Sequence, residues 1–239
     1  MLKISHIYKS PNFDERTSNI DMIVIHATKM EELPSIERLC DPESNVSCHY
    51  LISQNGEVYS LVNDDKRAWH AGESFWRGRE KLNTYSIGIE LVNADHLLET
   101  NIFPKAQMNS LIKLCADLIK KYSIADFNIV AHSDIAPNRK DDPGQFFNWN
   151  LLAKNHIGIY PDIKNDENNK IIISHGDKNS EVLKIQKMLK DFGYKIDLNG
   201  EFDESMSMVV IAFKRRFYPN DLSPSINHKA LIILRELVE

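Results

Sequence analysis

The sequence predicts an α/β fold: a central mixed β-sheet flanked by helices, followed by a small three-helix unit. Three observations predict it. Short β-rich runs alternate with helical segments up to Tyr160, a long amphipathic helix begins near Pro104, and beyond Tyr160 a polar stretch leads into segments with helical periodicity only. Strands and helices mixed in this order favour helices packed on a twisted sheet.

Taken in order, residues 21–26 read as a strand and Pro34 to Asp41 as a short helix. His49 to Ser53 and Glu57 to Val62 flank a Gln54-Asn55-Gly56 turn. An Asn-Gly pair between two apolar runs is a strong hairpin signal, because both residues tolerate positive φ. Ser86 to Val92 is continuously apolar in character and is expected to be a central strand. Pro104 is a favourable first-turn residue for the helix that follows. Met108, Leu111, Ile112, Cys115, Leu118, Ile119 and Tyr122 recur there at helical spacing and give it one apolar face, a core face.

Residues 1–160 are therefore read as one domain. Residues 161–170 are polar, lack an apolar period and read as a linker. In residues 171–239, Val182, Ile185, Leu189 and Phe192 line one helix that Gly193 could end. Met206, Val209, Val210, Phe213 and Phe217 line a second, and Ala230 to Leu237 supplies a third.

At 239 residues, with 42% hydrophobic and 26% charged residues, the composition is that of an ordinary globular protein. The net charge of −5 leaves no basic footprint for a nucleic-acid partner. No segment approaches the roughly 20 apolar residues of a membrane span. Met1 to His6 lacks the apolar stretch of a secretory signal. Cys40, Cys48 and Cys115 are odd in number and widely spaced, which argues against a disulfide framework and against a thiolate zinc site.

Two apolar runs each end in a histidine, Met22-Ile23-Val24-Ile25-His26 and Asn128-Ile129-Val130-Ala131-His132, and the second is followed by Lys140, Asp141 and Asp142. A β-rich run that stops at a histidine puts an imidazole at the rim of a sheet, where two imidazoles and a carboxylate can converge on a metal. Three ligands of this type leave a fourth position for water, the arrangement of a catalytic zinc site. On residue type alone, Asp141 and Asp142 compete for the third place.

The segments Ile25-His26-Ala27-Thr28, Ala68-Trp69-His70-Ala71-Gly72, Ser86-Ile87-Gly88-Ile89-Glu90, Ala131 to Pro137 and Arg139 to Gly144 together resemble the type 2, zinc-dependent N-acetylmuramoyl-L-alanine amidases. That family also includes the animal peptidoglycan recognition proteins. The resemblance covers roughly residues 10–155 and is strongest to the bacterial branch. It implies Zn2+ held by His26, His132 and Asp142, with Glu90 and Lys140 as the catalytic groups. The chemistry agrees: an amide is a poor electrophile, so a carboxylate is needed to move a proton to the leaving amine and a cation to steady the oxyanion. His49, Trp69, His70, Trp76 and Arg77 are expected to contact the substrate.

Residues 171–239 resemble three-helix peptidoglycan-binding domains through Leu183, Gln186, Leu189, Phe192-Gly193-Tyr194, Asn199 to Asp203 and Val209 to Phe213. They are expected to anchor the enzyme to polymer and to take no part in bond cleavage. The implied reaction is hydrolysis of the amide between N-acetylmuramic acid and L-alanine, in peptidoglycan or an anhydro-muropeptide. A non-catalytic peptidoglycan sensor is disfavoured by the retained ligand types, and a zinc peptidase on another amide by the absence of H-E-x-x-H. A monomer is expected. The C-terminal unit favours the periplasm or cell envelope, while the missing signal leaves the cytoplasm open.

Overall fold

The computed structural model describes residues 2–94, 98–99, 102–162 and 168–239. The strands in chain order are β1 (Ile4–Ser5), β2 (Phe13–Glu15), β3 (Met22–Ala27), β4 (Tyr50–Ile52), β5 (Val58–Ser60), β6 (Lys66–Ala68), β7 (Phe75–Trp76), β8 (Arg79–Glu80), β9 (Ser86–Leu91), β10 (Ile129–Ala131), β11 (Ile171–Ser174) and β12 (Ser225–Asn227). The helices are α1 (Glu32–Cys40), α2 (Lys105–Tyr122), α3 (His132–Ile135), α4 (Trp149–Ala153), α5 (Ser180–Phe192), α6 (Glu204–Phe217) and α7 (His228–Val238).

The main sheet has the order β1-β5-β4-β9-β3-β10. It is mixed: β4 and β5 pair antiparallel, whereas β4, β9, β3 and β10 run parallel. The antiparallel pair is the expected hairpin. Gly56 in its turn has φ +89°, and a Cβ there would come within 2.8 Å of the Ala106 carbonyl oxygen, so the turn requires glycine both for its backbone and for its approach to α2.

Side chains alternate across a strand, and the two faces of β3 are used differently. Ile23 and Ile25 pack with Ile87 and Ile89 against Leu111, Leu114, Cys115 and Leu118 of α2. The long amphipathic helix thus covers one face of the sheet, as its spacing predicts. Met22 and Val24 point the other way, into a cluster with Trp76, Leu82 and Ile135 that continues into Val182, Leu189, Phe192 and Phe213. One apolar core therefore runs from the sheet into the three C-terminal helices.

Those helices form because each has a strong start. Asn179, Asp203 and Asn227 accept hydrogen bonds from the first-turn amides of α5, α6 and α7. Gly193 ends α5, as expected. Residues 163–167 of the expected linker lie outside the described residues. His132, read from the sequence as the end of a strand, is instead the first residue of α3. The Asp134 carboxylate accepts the Ala131 amide at 2.9 Å and turns the chain into a helix there.

Candidate metal centre

The parallel strands β3, β9 and β10 bring their C-terminal ends to one rim, which is where open α/β sheets place their sites. His26 and Glu90 are register partners on β3 and β9, so their side chains share one face. Ala131 at the end of β10 pairs with Ile25, which sets His132 level with His26. Asp142 arrives from the loop after α3, where the Ser133 amide donates to the Asp142 carbonyl at 3.0 Å.

The three expected ligands meet. Nδ1 of His26 and Nδ1 of His132 are 2.8 Å apart, and Oδ2 of Asp142 lies 3.3 Å from the first and 3.1 Å from the second. Metal bonds of 2.0–2.1 Å in a tetrahedron imply ligand separations of about 3.3 Å, so this triangle fits one small divalent ion. All three residues are buried. Asp141, the other candidate, instead pairs with Lys29 Nζ at 2.8 Å.

The electrostatics suit ligation. Burial, followed by the neighbouring His132, lowers His26 to about 4 and keeps its imidazole neutral. Burial opposes ionisation of Asp142, but His132 and His26 beside it outweigh that and hold its carboxyl well below the usual carboxylate range. Neutral imidazole and carboxylate are the forms that bind metal.

A cavity of about 430 Å³ opens over the cluster, lined by Trp69, His70, Glu90, His132, Lys140 and Asp142 among others. Burial, then the Asp142 charge, raises Glu90 to about 8. Its Oε2 is buried without a hydrogen-bond partner among the described residues, so one carboxylate oxygen is left for a substrate or water. Two larger cavities, of about 520 and 560 Å³, lie against the C-terminal helices and hold none of these groups.

The expected substrate contacts divide. Trp69 lines the cavity and anchors its indole by donating to Asp14 Oδ2 at 2.6 Å. His70 reaches the cavity wall but is only 8% exposed, with both ring nitrogens engaged by His26 and Ser86. His49 is fully buried behind it; its Nδ1 accepts from the Gly88 amide and its Nε2 lies 2.9 Å from Arg16. Trp76 and Arg77 stand elsewhere, which corrects the sequence expectation. Trp76 is fully buried, edge-on to Phe192 and Tyr194, and Arg77 donates to the Phe192 carbonyl at 2.6 Å. Both belong to the seam between the sheet and the C-terminal helices.

Sequence reasoning missed Thr28, Lys29 and Arg139, which also line the cavity. It missed Asp134 and Arg216 as well, a fully buried ion pair at 2.7 Å one turn from His132. Arg216 had a signal: it lies three residues after Phe213, on the apolar stripe of its helix.

Residues 16–145 match the N-acetylmuramoyl-L-alanine amidase family. The chain is 43% identical over 155 residues to the N-acetylmuramoyl-L-alanine amidase AmiD of Escherichia coli, an alignment that covers 60% of this chain and 55% of that protein. The chain thus spans about half the length of that relative. It is 38% identical over 162 residues to the 1,6-anhydro-N-acetylmuramyl-L-alanine amidase AmpD of Haemophilus influenzae, covering 59% of this chain and 86% of that one. Among solved structures, the complex of E. coli AmiD with anhydro-N-acetylmuramic acid-L-Ala-D-gamma-Glu-L-Lys superposes with a TM-score of 0.81 at 30% identity, over 95% of this chain and 97% of that one.

Proposed function

The chain belongs to the N-acetylmuramoyl-L-alanine amidase family, and from that premise we propose that it hydrolyses the amide between the lactyl group of N-acetylmuramic acid and L-alanine, with zinc held by His26, His132 and Asp142. One observation carries the reading: three candidate ligand atoms converge at a cavity whose wall holds a carboxylate oxygen, Glu90 Oε2, that has no hydrogen-bond partner among the described residues. Zinc bound there would polarise the amide carbonyl and make water acidic enough to attack at neutral pH.

The chain's own groups do the rest. His26, His132 and Asp142 present two imidazole nitrogens and one carboxylate oxygen. Glu90, one strand from His26, takes a proton from the attacking water and returns it to the leaving nitrogen of L-alanine. Its raised affinity for protons suits a group that must both accept and donate near neutral pH. Lys140 puts an ammonium on the cavity wall for the developing oxyanion. Trp69 offers an aromatic face to the sugar. The enzyme works as a monomer in the bacterial cell envelope, where polymer is present, and fractionation of cells expressing the full gene tests that location.

The decisive experiment incubates zinc-loaded protein with anhydro-N-acetylmuramyl peptide and identifies products by mass spectrometry. Free peptide with an L-alanine N-terminus is expected, lost with a chelator and restored by zinc. An intact substrate after treatment with zinc-loaded, folded protein overturns the assignment.

A further inference from the structure

The turn that carries His132 is held from outside the sheet. Asp134, 1% exposed, sits two residues after His132, and its Oδ2 accepts both the Ala131 amide at 2.9 Å and Arg216 Nη1 at 2.7 Å. Nη2 of the same guanidinium donates to the Ile129 carbonyl at 3.0 Å. Tyr194 donates its hydroxyl to the other carboxylate oxygen at 2.8 Å. Arg216 thus grips Ile129 and Asp134 at once, with His132 between them in the chain.

Arg216 belongs to α6, and Tyr194 follows α5. The guanidinium is buried and lies over the rings of Trp149 and Phe217, at 4.3 and 4.8 Å. A buried carboxylate needs such donors, since without them it is an uncompensated charge and the loop around it must move. Only a planar fork spans two acceptors in fixed geometry; lysine offers a point charge.

We propose that Arg216, supported by Tyr194, is a positioning residue for the metal centre: it fixes the strand-to-helix turn that aims His132 at the ion. This rests on the reading of His132 as a ligand. The C-terminal helices then serve the site directly and are more than an appended anchor.

The test uses the full chain, with cobalt(II) in place of zinc. Cobalt affinity by chelator competition, the visible cobalt spectrum and thermal melting are measured for Arg216→Lys, Tyr194→Phe and Arg77→Ala. Arg77→Ala breaks a seam contact that does not touch Asp134. Arg216→Lys should lose roughly 10-fold or more in affinity, as loss of a ligand's outer support does, with an altered spectrum. Tyr194→Phe should shift both in the same direction by less, and Arg77→Ala should lower only the melting temperature. Native affinity and spectrum in Tyr194→Phe and in folded Arg216→Lys overturn the proposal, as does an equal loss in Arg77→Ala. Should Arg216→Lys not fold, Tyr194→Phe decides alone. Failure of the unaltered chain to bind cobalt overturns the ligand reading itself and this proposal with it.

Discussion

Nε2 of His26 lies 3.0 Å from Nδ1 of His70, and this contact sets which nitrogen of His26 is left to face His132 and Asp142. The order of donors follows from the far end of the chain of bonds. The Leu82 carbonyl can only accept, so the Ser86 hydroxyl donates to it at 2.7 Å. Ser86 Oγ then accepts from His70 Nε2 at 3.2 Å. That leaves Nδ1 of His70 as an acceptor for the proton on His26 Nε2. Nδ1 of His26 is therefore left with its lone pair, pointing at Asp142 and His132.

Removing the acceptor should weaken the metal site without unfolding it. His70→Phe keeps a ring in place but accepts no hydrogen bond, and metal affinity should fall about 10–100-fold. Gly88→Ala should do the same from below, because a Cβ there would lie 2.3 Å from the His70 ring. Chelator competition on both variants checks this, and unchanged affinity in folded His70→Phe would mean that another group sets the tautomer.

Glu90 and Lys140 are assigned to the transition state rather than to the ion. Glu90→Ala and Lys140→Ala should keep zinc and fold while losing roughly 10²-fold or more in kcat. KM should change much less, since interactions made only in the transition state appear in kcat. Zinc content and single-turnover kinetics on one muropeptide decide, and near-normal kcat in zinc-loaded Glu90→Ala would pass the proton transfer to another group.

The seam predicts how the chain tolerates shortening. Trp76 is fully buried against Phe192 and Tyr194, and its indole donates to the Phe127 carbonyl at 2.9 Å. Trp76→Ala should cost about 3–5 kcal/mol in denaturant unfolding. A chain ended near Asp166 would expose Trp76, Val24 and Ile135 together, and should aggregate or lose near-UV circular dichroism. A folded, active truncation would show that the first 160 residues cover that face unaided.

What the sequence reveals here depends on the range of the interaction. The β3 and α2 periodicities are local, and both elements lie within a residue or two of their expected bounds. The rim positions of His26 and Glu90 could be read for the same reason, whereas the helix that starts at His132 could not, because it depends on the Asp134 carboxylate accepting the Ala131 amide. Trp76 and Arg77 could not, because an aromatic beside a cation in a loop looks like a sugar platform until its partners, more than 100 residues away, are known. Pairs such as β7 with β8, two residues each, are too short to show a period. Asp134 is an ordinary charge in the sequence and Arg216 only a cation on an apolar stripe, and what they do becomes legible once the fold brings them together.

The last prediction concerns pH and the metal-free protein. Burial, followed by the Asp142 charge, raises Glu90 from its ordinary 4.5 to about 8. Between those values the folded state holds a proton that the unfolded state has released, so stability falls as pH rises. The benefit is complete below 4.5 and gone above about 8. His26 and His49, lowered by burial to about 4 and about 3, act in the opposite sense, but only below their ordinary 6.5. From pH 6.5 to about 8 the Glu90 slope therefore stands clear of theirs. Glu90→Gln cannot ionise, so its melting temperature in chelator should gain on the unaltered protein through that window and then run parallel to it. A melting difference that stays constant from pH 5 to 9 would place the Glu90 carboxyl in a wetter, ordinary environment and remove its claim to a raised proton affinity.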